Sequence, residues 1–500
     1  MKNLIVCCDG TWNDEKNKDD GVAAPTNVRK IFEAALDNDP TKQQTRYQSG
    51  VGTEGILDKA IGGMLGVGIS EDIRDCYQWI SDKYTAGDRI YLFGFSRGAF
   101  TARSLAGMIG KLGLIDFDKN AGTSRSKLVE KAYVEGYRNG QDLSDNIHFH
   151  NNSNAIHFIG VFDTVGALGI PDDKQILDLF DSPTKYRFHD TKLSNDVKKA
   201  RHAVALDERR GSFTPTLWEN VESHNDAKQL WFPGVHSDIG GGYKETGLSD
   251  CTLKWMTTEA QEAQLLFNES LIDQITPDEK GLLHDSYTGA MKVLRTAPRN
   301  IPQVTFNSSQ IGLSNYAKSR IENPPIHQGK YLNTRDFQND QVTVDVYAIH
   351  RWYWTGIYLE PGYKYIATAT GEWLDNSIPC APSGTTDGRF HLGEIVHLAG
   401  NLVAKGESLW KNLTKNERAD FFGTKRVEHA DWFELVGAVA NNGNPNKDGT
   451  HAQLETIVLG AEKTFEVTKP GYLYCFANDA WGFYQNNRGY VTLELARQAK

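Results

Sequence analysis

The sequence predicts an α/β unit with a mostly parallel sheet, followed by an all-β sandwich. Three observations predict it. Apolar strand-like runs alternate with helical patterns over residues 1–290, the order that builds a parallel sheet covered by helices. Gly94-Phe95-Ser96-Arg97-Gly98 lies between an apolar run and a helix-like segment, the setting in which a serine is held out as a nucleophile. From about residue 340 the pattern turns to period-two alternation, which reads as sandwich strands.

Taken in order, residues 2–8 form a short apolar strand ending at Asp9-Gly10-Thr11-Trp12-Asn13. Thr26 to Leu36 reads as a helix, with Val28, Ile31, Phe32 and Leu36 along one side. Residues 56–70 are apolar and glycine-rich, and Ile73 to Tyr84 is a helix carrying Tyr77, Trp79 and Ile80. Arg89 to Phe93 is a buried strand, and Thr101 to Leu112 is the helix beyond the serine turn. Ile156 to Phe162 and Gln229 to Val235 are further buried strands, ending at Asp163 and His236. Lys198 to Arg210 reads as a helix, as does Thr252 to Glu269. Pro298, Pro302, Pro324 and Pro325 punctuate residues 291–339, expected to be an irregular cap or linker. Residues 340–500 carry the alternating strands 342–348, 363–369, 433–439, 464–467, 471–476 and 489–495, with a helical insertion expected near 400–425.

Bulk composition narrows the function. The 500 residues are 24% charged and 39% apolar, which describes a folded chain with at least one large core. A net charge of −10 without a long basic block argues against nucleic acid as the main partner and gives no polybasic grip on anionic lipid. The six cysteines show neither zinc spacing nor a disulfide framework, and Cys7 and Cys8 should face opposite sides of their strand. Residues 4–8 are too short for a signal-peptide core, and no apolar run reaches membrane-spanning length. The expectation is cytoplasmic residence in the producing cell, with any export by a route needing no cleaved signal.

A serine hydroxyl needs a base to accept its proton and an acid to orient that base. After Ser96, the base candidates are His236 and His202, and the acid candidates are Asp163, Asp207 and Asp238. Asp163 is favoured because it stands at a strand carboxyl end, where this architecture presents chemistry, and His236 because its imidazole closes an apolar run before three glycines that let the backbone crowd a substrate or adopt positive φ. His202 could instead serve a structural network, and Asp163 could simply cap its turn. For the oxyanion, one backbone donor is expected from Arg97, and a second from Gly10 or Thr11. Asp9-Gly10-Thr11 is also compatible with magnesium-assisted phosphoryl transfer, but no glycine-rich Walker pattern supports a nucleotide role.

These pieces resemble one family. The stretches around Asp9-Gly10-Thr11, Gly94 to Phe100, Val161 to Gly166, Ala200-Arg201-His202, Leu206 to Arg210 and Phe232 to Gly242 are similar to the Tle1-like phospholipase catalytic domain (DUF2235), which includes antibacterial effectors delivered by type VI secretion. The resemblance covers roughly residues 1–290. It implies an α/β-hydrolase fold and hydrolysis of carboxylic esters, most simply phospholipid acyl esters, with Ser96 as nucleophile, His236 as base and Asp163 as acid. It also implies possible export to a target periplasm and partners such as a secretion-system component or an immunity protein. A non-lipolytic cytoplasmic carboxylesterase is the alternative. Lipid access would come through residues 56–69, including Leu57, Ile61, Met64 and Leu65, unless that stretch is packed core.

In the tail, Asp479, Asn486 and Asn487 offer hard oxygen ligands around one loop, and the Phe483 carbonyl could add another. A hairpin stabilised by its own side chains is the simpler account. The order Asn478-Asp479, Tyr484, Asn486-Asn487 and Gly489 before a terminal strand resembles LecA-type calcium-dependent, galactose-binding bacterial lectins. That resemblance implies a jelly-roll-like sandwich with calcium held by Asp479, Phe483, Asn486 and Asn487, and Asp375 or Asn376 upstream. It also implies a glycan or bacterial-envelope ligand contacted through Asp479 and Asn487. Trp373-Leu374-Asp375-Asn376 departs from the lectin pattern. That departure counts against sugar binding; a calcium-dependent carbohydrate-binding protein on a hydrolase scaffold is a further alternative.

Overall fold

The computed structural model describes residues 1–10, 13, 17–35, 39–50, 65–166, 191–293, 295–385, 425–446 and 451–499. Its first unit is a seven-stranded sheet. The strands are β1 (Asn3–Cys8), β2 (Gln43–Gln48), β3 (Arg89–Phe95), β4 (Phe158–Phe162), β5 (Ala200–Ala205), β6 (Ala227–Phe232) and β7 (Ile311–Leu313). They run in the order β2-β1-β3-β4-β5-β6-β7, and every pairing is parallel. Parallel strands need helical crossovers and are buried on both faces, so β1 and β4 are buried throughout. Alternate residues of β1 enter different cores. Leu4, Val6 and Cys8 pack with α2 (Leu65–Lys83) and α3 (Arg97–Leu112). Ile5 and Cys7 pack with α1 (Asn27–Ala34) and with the helix Gly247–Glu262, here α5. The two cysteines thus face opposite sides, as the pleat requires.

Three expectations change. Residues 198–210 are not a helix: Ala200–Ala205 is a central strand, paired to β4 and β6. Its Ala- and Arg-rich composition suggests a helix, but tertiary pairing overrides propensity. Its polar residues are satisfied in place, with Arg201 on Glu259 and Asp226 and His202 on Gln229. The helix expected at 252–269 begins at Gly247 and ends at Glu262, before a short turn of helix at Glu269–Ile272. Residues 291–339 are more than a linker, because they supply β7 and the helix Asn315–Glu322. The segments 56–64 and 400–424 lie outside the described residues, so the insertion expected near 400–425 and most of the lipid-access stretch do too.

The second unit is built from antiparallel strands. One five-stranded sheet contains β8 (Gln341–Tyr347), β10 (Tyr363–Asp375), β11 (Ile378–Cys380), β15 (Glu462–Phe465) and β17 (Asn487–Ala499). The other contains β9 (Tyr353–Leu359), β12 (Ser383–Thr385), β13 (Trp432–Ala440), β14 (Glu455–Val458) and β16 (Gly471–Ala477). The inward residues of β8, Val342, Val344 and Val346, alternate with more exposed ones and join Trp373, Leu435 and Leu493 in one core. A separate apolar cluster joins the two units: Val204, Leu206 and Trp231 meet Ile301, Tyr472 and Trp354.

Candidate active site

Ser96 sits between β3 and α3 with φ +56° and ψ −123°. A non-glycine residue at positive φ is strained, and such strain collects at functional turns. The flanking glycines explain how the chain tolerates it. A Cβ on Gly98 would stand 2.2 Å from the Cys8 carbonyl oxygen, so α3 crosses β1 backbone to backbone. A Cβ on Gly94 would meet the Gly98 carbonyl oxygen at 2.5 Å. The Ser96 N–H donates to the Phe162 carbonyl at 3.1 Å, tying the turn to β4.

His236 opens a short helix, α4 (His236–Gly240), directly after β6. Its Nε2 lies 2.9 Å from Ser96 Oγ and its Nδ1 lies 2.6 Å from Asp163 Oδ2. Asp163 follows β4, with φ +36° and no exposed surface. Phe95 and Phe213 pack on the His236 ring at 4.7 and 5.0 Å between centroids. The His236 N–H donates to Glu208 Oε2 at 3.2 Å, and Glu208 is itself held by Arg210 and Ser286. Two of the glycines after His236 serve packing: a Cβ on Gly240 would meet the Phe95 ring at 2.1 Å, and one on Gly241 the Asn27 backbone nitrogen at 2.8 Å.

The electrostatics separate the two partners. Burial holds the His236 imidazole below its ordinary value, although its hydrogen bond to Asp163 opposes this. Burial pushes the Asp163 carboxyl up, but the charge of Arg299 and hydrogen bonds from His236 and Arg299 outweigh it. The carboxyl stays well below the usual carboxylate range. Arg299 donates from Nη1 to Asp163 Oδ1 at 2.7 Å and from Nη2 to Oδ2 at 3.0 Å. Sequence reasoning missed Arg299, a lone arginine in a proline-flanked segment with no motif around it.

The other candidates lie elsewhere in the network. His202 accepts from the Thr164 N–H at its Nε2 and meets Gln229 Oε1 at its Nδ1, 3.0 Å away. Burial, with Arg103 nearby, lowers its pKa to about 3, so it is neutral and occupied on both nitrogens. Asp207 accepts from the Gly234 N–H and the Tyr331 hydroxyl. Asp238 accepts from the Val235 N–H and pairs with His284 Nδ1 at 2.6 Å. None of the three bonds to Ser96 or His236 side chains. Gly10 lies beside the serine, a Cβ there falling 3.1 Å from Ser96 Cβ, but its N–H donates to Asp9 Oδ1 at 2.7 Å. Asp9 also accepts from Thr26, the cap of α1, and from Tyr47, which makes it a brace for this loop. Thr11 lies outside the described residues. Arg97 is the first residue of α3, and burial lowers its guanidinium to about 10.

In the sandwich, Asp375 pairs with Asn487 across β10 and β17. Asn487 Nδ2 donates to Asp479 Oδ2 at 2.9 Å, and Asn486 Nδ2 donates to Asp375 Oδ1 at 2.6 Å. Burial pushes the Asp479 carboxyl up to about 6, Asn487 and the Ala480 N–H opposing and Asp375 adding to it. Asn487 Oδ1 is buried without a partner. The Phe483 carbonyl accepts from the Asn486 N–H at 3.4 Å.

A parallel sheet, a strained serine turn and a hydroxyl–imidazole–carboxylate chain at the strand carboxyl ends define an α/β-hydrolase-type protein. Within that class the chain belongs to the T6SS phospholipase effector Tle1-like catalytic domain family, which it matches over residues 2–259. It is 31% identical over 234 residues to YEL023C, an uncharacterized protein of Saccharomyces cerevisiae, covering 42% of this chain and 32% of that one. The chain thus spans about a third of the length of this curated relative. Among solved structures, it is similar to an uncharacterized protein from Pseudomonas aeruginosa at 18% identity and a TM-score of 0.34, covering 56% of this chain and 49% of that one. The EclA N-terminal domain, a PllA-like lectin, matches at 16% identity and a TM-score of 0.19, covering 32% of this chain and all of that one. Among the described residues, no helix is long and apolar enough to cross a membrane.

Proposed function

We propose that this chain is a serine esterase that hydrolyses acyl esters of phospholipids. The observation that carries the reading is the hydrogen-bonded chain Ser96–His236–Asp163 on a strained strand–helix turn, in a member of a family described as phospholipase effectors. His236 Nε2 takes the proton as Ser96 Oγ attacks the ester carbonyl carbon. The Arg97 N–H at the start of α3 is assigned to the oxyanion. Collapse breaks the acyl C–O bond, and His236 returns its proton to the leaving alcohol oxygen. Water then attacks the acyl-serine, again losing its proton to His236, and the fatty acid departs. Asp163 holds the Nδ1–H tautomer and stabilises the transient imidazolium. As a secreted effector the enzyme would meet a target-cell phospholipid, with a secretion component and an immunity protein as partners.

Fatty-acid release from phospholipid vesicles tests this reading: wild type is active, Ser96→Ala is not, and equal release by both would refute it. The pH profile supplies a second check. His236 accepts a proton only when neutral, and burial holds its pKa below 6.5. The free-enzyme kcat/KM should therefore stay high into mild acid and fall with an inflection below pH 6.5.

The tail carries an accessory reading, favoured by the partnerless Asn487 Oδ1 beside two buried carboxylates. Asp375, Asp479, Asn486, Asn487 and the Phe483 carbonyl fit calcium, a hard cation that takes mixed carboxylate, amide and carbonyl oxygens. Calcium would neutralise the charge that Asp375 and Asp479 place together and could bridge to a glycan hydroxyl. Calcium at about a hundredfold excess over Kd should raise Tm by roughly 5–10 °C in wild type and not in Asp479→Ala. An equal response in both denies the site.

A further inference from the structure

Arg299 lies beyond the family match and inside the catalytic network. We propose that Arg299 is a positioning residue for the Ser96–His236–Asp163 chain, and that the β-sandwich holds it there. The inference rests on the esterase reading above.

The strap that carries Arg299 is gripped from both sides. On the catalytic side, Thr296 forms a bridge with Arg210, the Gly211 N–H donates to the Arg295 carbonyl, and the Ala297 N–H donates to the Arg209 carbonyl. On the sandwich side, Trp352 Nε1 donates to the Thr296 carbonyl at 2.9 Å. Asn300 Nδ2 donates to the Asn442 carbonyl at 2.9 Å, and the Tyr472 hydroxyl accepts from the Val304 N–H at 2.8 Å. Ile301 is buried in the cluster that joins the units. The guanidinium between these grips also donates to the Ala205 and Phe213 carbonyls, which fixes its plane against the carboxylate.

The need for such a cation follows from the resting state. A base that works must rest neutral, so His236 gives Asp163 no opposing charge before the reaction. A fully buried carboxylate then requires another cation. Without Arg299, Asp163 either takes a proton and stops orienting the imidazole, or draws one onto His236 and blocks the base. Both outcomes remove activity in acid and spare it in alkali. The other charged or titratable groups around the pair are Glu208 and Arg210 beside His236, and His202 beyond Asp163. Asp238, on the same helix as His236, turns to His284. None of these donates to Asp163.

The test compares kcat/KM against pH on a soluble acyl ester for full-length wild type, Arg299→Lys, Arg299→Met and the double variant Trp352→Phe/Asn300→Ala. The acid limb of Arg299→Met should move up by about one to three pH units. Arg299→Lys should keep the limb near wild type while losing kcat, because it restores charge but not the fork. The double variant should shift the limb in the same direction by less, with Tm near wild type. An unmoved limb in Arg299→Met, with only the yield of folded protein reduced, would make Arg299 merely structural and overturn the proposal. If Arg299→Met does not fold, an unmoved limb in the double variant overturns it instead. Ser96→Ala is the separate control, because unchanged activity there would sink the esterase reading itself.

Discussion

Replacing Ser96 with alanine is expected to lower kcat on acyl esters by roughly 10⁴–10⁶-fold while leaving the fold intact. The magnitude follows from geometry. The Ser96 hydroxyl is the only side-chain oxygen among the described residues that bonds His236 Nε2, so nothing nearby inherits the role. The strained backbone at φ +56° is enforced by Gly94 and Gly98 against β1 and α3, and alanine meets the same strain as serine. Circular dichroism and Tm should therefore match wild type while acyl-ester turnover disappears. Residual activity within tenfold of wild type would place the chemistry on another group.

Asp163→Asn should be nearly as damaging to activity and worse for stability. The wild-type carboxylate accepts from four donors: Arg299 Nη1 and the Ala205 N–H at Oδ1, and Arg299 Nη2 and His236 Nδ1 at Oδ2. An asparagine amide has one accepting oxygen, so its NH₂ must face either Arg299 and the Ala205 N–H, or Arg299 and His236. In the second case the imidazole is driven to the wrong tautomer, which costs about 10⁴-fold in kcat in a serine protease triad. In both cases the Arg299 charge stays buried without its counter-ion, a loss of about 3–5 kcal/mol. The expected result is a large fall in kcat together with a lower Tm. A variant with wild-type Tm and activity would remove Asp163 from the account.

Most of the sheet and the three favoured side chains of the candidate site were legible because they sit at strand ends with local marks. Ser96 is flanked by the glycines its turn requires, and Asp163 and His236 each close an apolar run that becomes β4 or β6. Ala200–Ala205 reads as helix because its alanines and arginine favour one locally, while the parallel neighbours that make it a strand are distant in sequence. Ile311–Leu313 was hidden for a different reason: three residues are too few to show a period. Arg299 carries no local mark at all. Its role comes from a contact with Asp163 across 136 positions, made by a segment whose shape is set by the sandwich. The second oxyanion donor is expected from Gly10 or Thr11, and the Gly10 N–H donates to Asp9, one residue earlier. Side-chain competition for one backbone donor depends on rotamer, which composition does not reveal.

In the proposed chemistry His236 activates Ser96 for attack on an acyl carbon. Fluorophosphonate labelling followed by peptide mapping tests it directly. A single stoichiometric adduct is expected on the peptide holding Ser96, absent in Ser96→Ala and formed far more slowly in His236→Ala. An adduct on a different residue, or equal labelling rates in wild type and His236→Ala, would contradict it.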